Sequence, residues 1–313
     1  MIRLPGLLCM LFLCSLIPAH AADMDGTGRF YYHGDGVIRL ASDKNSAVFS
    51  GRYRHGAQQY DAEALEAIDR VFDAPHDPGR RYLSLRLVAF LDFLQDHFDP
   101  GARITITSGY RRPEYNRALR RNGALAAKAS LHQYGMAADF RMEGVAARRI
   151  WSYVKALKFG GAGYYHGKSV HIDVGPARFW DEKTSGVGSG LADDNKLIGM
   201  VTDFDIYAPG DPVVLTFIRM TAFPIDVERR FVLLRRNPGS QGRPVLSFSV
   251  EFPVPAREPC TRFGSIDQMA AIRWQLSPNL PAGRYRVRAV FCGTPRGKMP
   301  AQIETPEFTV SGP

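Results

Sequence analysis

The chain has 313 residues, 45% hydrophobic and 23% charged, which excludes a disordered or low-complexity polymer. That length exceeds the usual single domain, so two units are expected. Lys and Arg number 40 against 31 Asp and Glu, a formal net charge of +9 that suits a polyanion such as nucleic acid or an acidic wall polymer.

Residues 1–21 read as a secretory signal peptide. Arg3 precedes an apolar run from Leu7 to Ile17, and Ala19, His20 and Ala21 form a small-x-small cleavage signal. The run is too short to span a bilayer and no later stretch is long enough either, so the expectation is a periplasmic protein with no membrane span after signal cleavage. Export also makes nucleic acid a poor partner. Cys9 and Cys14 leave with the signal, and the remaining pair, Cys260 and Cys292, reads first as one disulfide in an oxidising compartment.

In chain order, strand-like residues 30–32 and 36–40 come first. Residues 61–72 place Leu65, Ile68, Val71 and Phe72 at helical spacing behind an Asp61 cap. Residues 82–98 repeat the pattern with Leu83, Leu87, Phe90, Leu91, Leu94 and Phe98, a strongly apolar helix expected at the core. A strand at 104–107, a short basic helix at 114–121, a strand at 137–142, a helix at 145–158 and a strand at 169–174 follow. Helices and strands mix without a βαβ rhythm, so the fold class is α+β. Residues 181–196 lose apolar periodicity and gain Gly, Ser and charge, which marks a linker. Beyond it, short strands at 213–218, 231–234, 245–250, 272–276, 285–291 and 308–310 suit an immunoglobulin-like β-sandwich over 197–313.

The chemistry concentrates in Ser130-Leu-His132-Gln-Tyr-Gly135-Met-Ala137-Ala-Asp139 and the later His171-Ile-Asp173-Val-Gly175. A catalytic zinc site needs three N or O ligands and an open position, and His132, Asp139 and His171 supply that set. Gly135 permits a tight turn between the first two. His171 and Asp173 are two apart on a strand and share a face, so Asp173 is expected beside the metal. Taken singly each His is more often an ordinary surface or core residue; the combination in one exported α+β segment is what raises the set. His33, His55, His76 and His97 stay in the ordinary class.

These motifs, with Ser108-Gly109-Tyr110-Arg111-Arg112-Pro113, Asn116, the run Gly160 to Tyr165 and the stretch Val170 to Trp180, resemble the zinc peptidases of the D-Ala-D-Ala carboxypeptidase and hedgehog group, and within it the murein endopeptidase K-type subgroup. The resemblance covers roughly residues 36–180. It implies a zinc peptidase domain over 22–180 with a small antiparallel sheet flanked by helices. It also implies Zn2+ held by His132, Asp139 and His171, and peptidoglycan stem peptides as substrate. Arg111 matches the arginine that such enzymes point at the substrate carbonyl or carboxylate. Relatives carry the general base as Glu three residues before the last ligand or His two before it, whereas Lys168 and Ser169 stand here. Asp173 is the preferred base and His166 the reserve, with a purely orienting role for Asp173 as the alternative. The expected activity is crosslink endopeptidase. A D,D-carboxypeptidase of the same chemistry and a catalytically silent zinc-containing wall-binding module are the other readings. The C-terminal β domain is a candidate for docking a protein partner.

Overall fold

The computed structural model describes residues 28–77, 80–122, 126–167, 169–184, 193–236, 242–255, 257, 259–269, 272–293 and 297–312. The signal-peptide reading, Lys168 and the middle of the expected linker lie outside the described residues. Among those residues no helix is long and apolar enough to cross a membrane.

In chain order the first half contains β1 (Val37–Ser42), β2 (Val48–Arg52), β3 (Arg54–His55), β4 (Gln59–Tyr60), α1 (Ala62–Val71), α2 (Leu85–Phe98), β5 (Ile104–Ser108), α3 (Pro113–Arg121), β6 (Ala137–Met142), α4 (Ala147–Leu157), β7 (Gly161–Tyr164), β8 (Val170–Asp173) and β9 (Arg178–Asp181). Asp61 caps α1, its carboxylate accepting from the Ala64 N–H at 2.8 Å. Helix α2 is apolar on most of its circumference, so Leu87, Val88, Phe90, Leu91 and Leu94 are all fully buried. They pack with Ile38, Leu40, Ile104, Ile106, Phe140 and Ile172 of the sheet in one core.

That sheet has seven strands in the order β2-β1-β5-β6-β8-β7-β9. It is larger than the expected small antiparallel sheet, and it is mixed. β1 runs parallel to β5, and β7 parallel to β9. The first parallel pair arises because α1 and α2 intervene between β1 and β5 and return the chain in the same direction. Residues 30–32 are not a strand. The three aromatics bend instead, and their rings carry the packing: Phe30 lies 5.4 Å from Phe204 and Tyr32 lies 4.7 Å from Phe159.

The second half contains β10 (Gly199–Thr202), β11 (Ile206–Tyr207), β12 (Pro212–Ile218), β13 (Ile225–Glu228), β14 (Arg230–Arg236), β15 (Arg243–Ser249), β16 (Cys260–Phe263), β17 (Ile272–Gln275), β18 (Gly283–Val290), β19 (Gln302–Glu304) and β20 (Phe308–Val310). One sheet runs β10-β12-β17 and another β11-β20-β18-β14-β15, with β19 on β18. Alternating residues of both, among them Val213, Leu215, Phe217, Phe231, Leu233, Val287 and Phe308, form a second core. Cys260 and Cys292 are disulfide-bonded, with Cα atoms 6.2 Å apart.

The two halves touch through specific contacts. Val201 and Ile218 bury themselves in the first core. Arg86 of α2 pairs with Asp205 at 2.8 Å, both nearly inaccessible. The Met220 N–H donates to the Tyr134 hydroxyl at 3.0 Å, so the second half braces the turn that carries His132.

Candidate metal centre

Three elements meet at one end of the central strands. Residues 131–134 form a single 3-10 turn that carries His132, and Gly135 closes it at φ +61. Only glycine fits there, since a Cβ would stand 1.9 Å from the Tyr82 carbonyl oxygen. Asp139 on β6 sits directly opposite His171 on β8 in the antiparallel register. Cross-strand pairing therefore brings two of the three groups together, and the turn adds the third.

The three groups present one atom each to a common point. His171 Nδ1 lies 2.8 Å from Asp139 Oδ1, His132 Nε2 lies 3.3 Å from His171 Nδ1, and His132 Nε2 lies 3.5 Å from Asp139 Oδ1. Ligand bonds of ~2.0–2.2 Å in a tetrahedral set would separate such atoms by about 3.3 Å, so the triangle fits a zinc-sized ion. All three side chains are buried, at 2%, 8% and 5% exposure for His132, Asp139 and His171.

Each imidazole is held from behind in the tautomer a metal needs. His132 Nδ1–H donates to the Gly109 carbonyl at 2.7 Å, which leaves Nε2 with its lone pair. His171 Nε2–H donates to Asp173 Oδ2 at 3.0 Å, which leaves Nδ1. Asp173 is in turn fixed by Arg178, Nη2 to Oδ2 at 2.7 Å, and by the Gly175 N–H at 3.0 Å. Burial alone would raise the Asp173 carboxyl, but Arg178 and His171 hold it well below the usual range.

Asp173 shares the strand face of His171, as expected, yet it stands on the far side of the ring from Asp139 and His132. The expectation that it sits beside the metal is corrected by the ring's orientation. Nδ1 turns toward Asp139, so Nε2 and its carboxylate partner point away.

Electrostatics agree with a cation at the triangle. Burial pushes His132 down to about 4, so it is neutral. Burial would also lower His171, but its bonds to Asp139 and Asp173 outweigh that and raise it. Desolvation opposes ionisation of Asp139, and the two imidazoles overcome it to hold the carboxyl well below its ordinary value.

Arg111 donates through Nε to Ser108 Oγ at 3.0 Å and through Nη2 to Asp139 Oδ2 at 3.0 Å. It thus braces the oxygen of Asp139 that the triangle does not use. His166 sits at φ +49 on the turn after β7, with Nε2 2.6 Å from Asp181 Oδ1 and its ring 4.6 Å from that of Tyr164. Two aromatic neighbours complete the surroundings: Trp180, 4.9 Å from His171 between ring centres, and Tyr165 at 6.5 Å. Burial raises the Tyr165 hydroxyl, and the Asp139 charge raises it further, so it is a neutral donor.

From the sequence, Tyr165 stands with Tyr134 and Tyr164 only as a tyrosine that could line a peptide cleft, and Trp180 has no assigned role. The Gly160-Gly161-Ala162-Gly163 run was the available signal. A Cβ at Gly161 would fall 2.1 Å from Asp173 Oδ2, and one at Gly163 would fall 2.4 Å from the Trp180 ring, so both glycines clear room for the site's outer residues.

The family model described as peptidoglycan L,D-endopeptidase MepK matches residues 37–180, the span that holds His132, Asp139 and His171. The chain is 34% identical over 125 residues to peptidoglycan L,D-endopeptidase MepK of Escherichia coli strain K12, an alignment covering 33% of this chain and 69% of that protein. It is 40% identical over 80 residues to a probable peptidoglycan L,D-endopeptidase MepK of Haemophilus influenzae, covering 25% of this chain and 43% of the relative.

Proposed function

Since the chain belongs to the peptidoglycan L,D-endopeptidase MepK family, we propose that it is a periplasmic, zinc-dependent hydrolase of L,D bonds in peptidoglycan stem-peptide crosslinks. The single observation that carries this reading is the triangle of His132 Nε2, Asp139 Oδ1 and His171 Nδ1 with both imidazole tautomers set from behind. A zinc ion bound there supplies Lewis acidity toward a peptide carbonyl and a water acidified toward neutrality.

The chain's own residues supply the rest. Asp173 accepts the Nε2 proton of His171 and keeps Nδ1 basic, an orienting role that replaces the base role. His166, aligned by Asp181, takes the proton of the attacking water and returns it to the leaving amine. Arg111 and the neutral Tyr165 hydroxyl are the donors for negative charge that develops on the carbonyl oxygen. Trp180 and Tyr165 form apolar walls against which the peptide lies.

The domain division into signal peptide 1–21, peptidase 22–180, linker 181–196 and β domain 197–313 belongs to this proposal, supported by the two separate cores. The immunoglobulin-like description of the second unit rests on its two sheets facing one core. Digestion of purified crosslinked muropeptide dimers, followed by mass spectrometry, tests the function. Dimers joined through an L,D bond should yield monomers with the parent chain and stay intact with His171→Ala. A parent chain that leaves the dimers intact but trims terminal D-alanine would establish the carboxypeptidase reading instead.

A further inference from the structure

A second group of oxygen ligands lies outside the peptidase centre, where the segment entering β1 crosses α2. Asp35, Asp92 and Asp96 each bring one carboxylate oxygen within 4.8 Å of the others, and none of them takes part in the function above. Asp92 and Asp96 are four apart on α2 and therefore project from the same face.

Backbone and hydroxyl donors fix one oxygen of each carboxylate. The Gly36 N–H and the Tyr53 hydroxyl donate to Asp92 Oδ2 at 3.0 and 2.9 Å. The Asp35 N–H donates to Asp96 Oδ2 at 2.8 Å, and the Val37 N–H to Asp35 Oδ1 at 2.7 Å. One atom is left without any of this support. Asp92 is 0% exposed, and its Oδ1 is buried with no hydrogen-bond partner among the described residues. An ionised carboxylate oxygen in that condition is strongly disfavoured unless a cation or proton meets it.

The orphaned oxygen points into the cluster, not away from it. A Cβ placed on Gly34 would fall 2.2 Å from Asp92 Oδ1 and 2.5 Å from Asp96 Oδ2, so the two oxygens flank a position that any larger residue would fill. The neighbouring cation does not satisfy it. The Arg54 guanidinium donates to the Gly34 and Gly56 carbonyls, and its charge acts on Asp96. Burial raises the Asp92 carboxyl to about 7, and the charges of Asp96 and Asp35 add to the rise.

We propose that Asp35, Asp92 and Asp96 form a binding site for a hard divalent cation of the calcium class, with Asp92 Oδ1 as its innermost ligand. All-oxygen donors from a loop and a helix, one of them exposed and open to water, suit calcium's flexible coordination better than the strict octahedron of magnesium. The ion ties the segment at 34–36 to α2. That segment also reaches the second half, because Arg29 pairs with Asp211 at 2.7 Å and the Tyr31 hydroxyl meets Thr309 Oγ1 at 2.9 Å. Calcium would therefore tighten a strap that crosses both units.

The test uses the full chain, zinc-saturated and exchanged into calcium-free buffer, melted with and without calcium chloride. Calcium at about a hundred times its dissociation constant should raise the melting midpoint by at least ~3 °C. Terbium bound at the same site should luminesce on tyrosine excitation, since Tyr53 hydrogen-bonds the innermost ligand. Asp96→Asn should fold, because it removes like-charge repulsion, and should lose both the midpoint shift and the luminescence. Asp35→Asn, at an exposed position, should weaken both. No calcium-dependent shift in the parent chain, as expected if Asp92 and Asp96 merely share a proton, overturns the proposal. An equal shift in Asp96→Asn overturns it as well.

Discussion

At the scale of single residues, the centre depends on which nitrogen of each imidazole is free. His171 carries the sharper consequence because two carboxylates hold its proton in the metal-free chain and raise it above the usual 6.5. A metal must displace that proton, whereas His132, pushed down to about 4, has none to lose near neutrality. Zinc affinity should therefore climb about tenfold per pH unit at and below pH 6.5, then level off once pH exceeds the raised value for His171. Competition against a chromophoric chelator between pH 5.5 and 8.5 measures this, and a flat profile would contradict it. Asp173→Asn should lower zinc affinity about 10- to 100-fold by releasing the ring, while leaving the chain folded. His166→Ala should keep full metal content and lose about 100-fold or more in kcat on muropeptide dimers. A His166→Ala protein as fast as the parent would remove His166 from the reaction.

At the scale of elements, the candidate ligand group was legible because it lies in strong local patterns. The Ala137–Met142 strand and the turn closed by Gly135 appear where the alternation and the glycine place them. Helix α1 begins at its Asp61 cap, and α2 begins three residues later than its apolar pattern, at the Ser84 N-cap. What escaped were strands whose own residue pattern is weak even though their partners lie close by in the chain. β2 is half solvent-facing, and β7 is glycine-rich with two glycines in four residues, so neither shows a periodicity of its own. The side of the ring on which Asp173 stands also escaped, since strand spacing gives a shared face but not the rotamer that His171 adopts against Asp139. The turn is the element most exposed to mutation. Gly135→Ala combines a left-handed backbone with a Cβ 1.9 Å from the Tyr82 oxygen, and should cost more than about 2 kcal/mol in urea unfolding together with a loss of zinc affinity.

At the scale of the whole molecule, the two cores are joined by buried polar contacts, a feature that no local pattern announces. Arg86 and Asp205 form an ion pair at 5% and 6% exposure between α2 and the second half. Removing one partner leaves the other charge buried, so Arg86→Ala should destabilise the chain by about 3–5 kcal/mol in chemical denaturation. The Cys260–Cys292 bond closes a loop with a separation of 32 residues, and its removal should cost about 3–4 kcal/mol, read in the melting of the second core. Those contacts matter to the chemistry because the Met220 N–H holds Tyr134, two residues beyond His132.

The most direct test of the central claim is a titration. Metal-stripped chain is supplied with increasing zinc while the initial rate of cleavage of an L,D-crosslinked muropeptide dimer is followed. The rate should rise from none to a plateau at one zinc per chain, and Asp139→Ala should show no rise. A stripped chain that cleaves as fast as the loaded one would contradict the assignment of His132, Asp139 and His171 as the ligands of a catalytic metal.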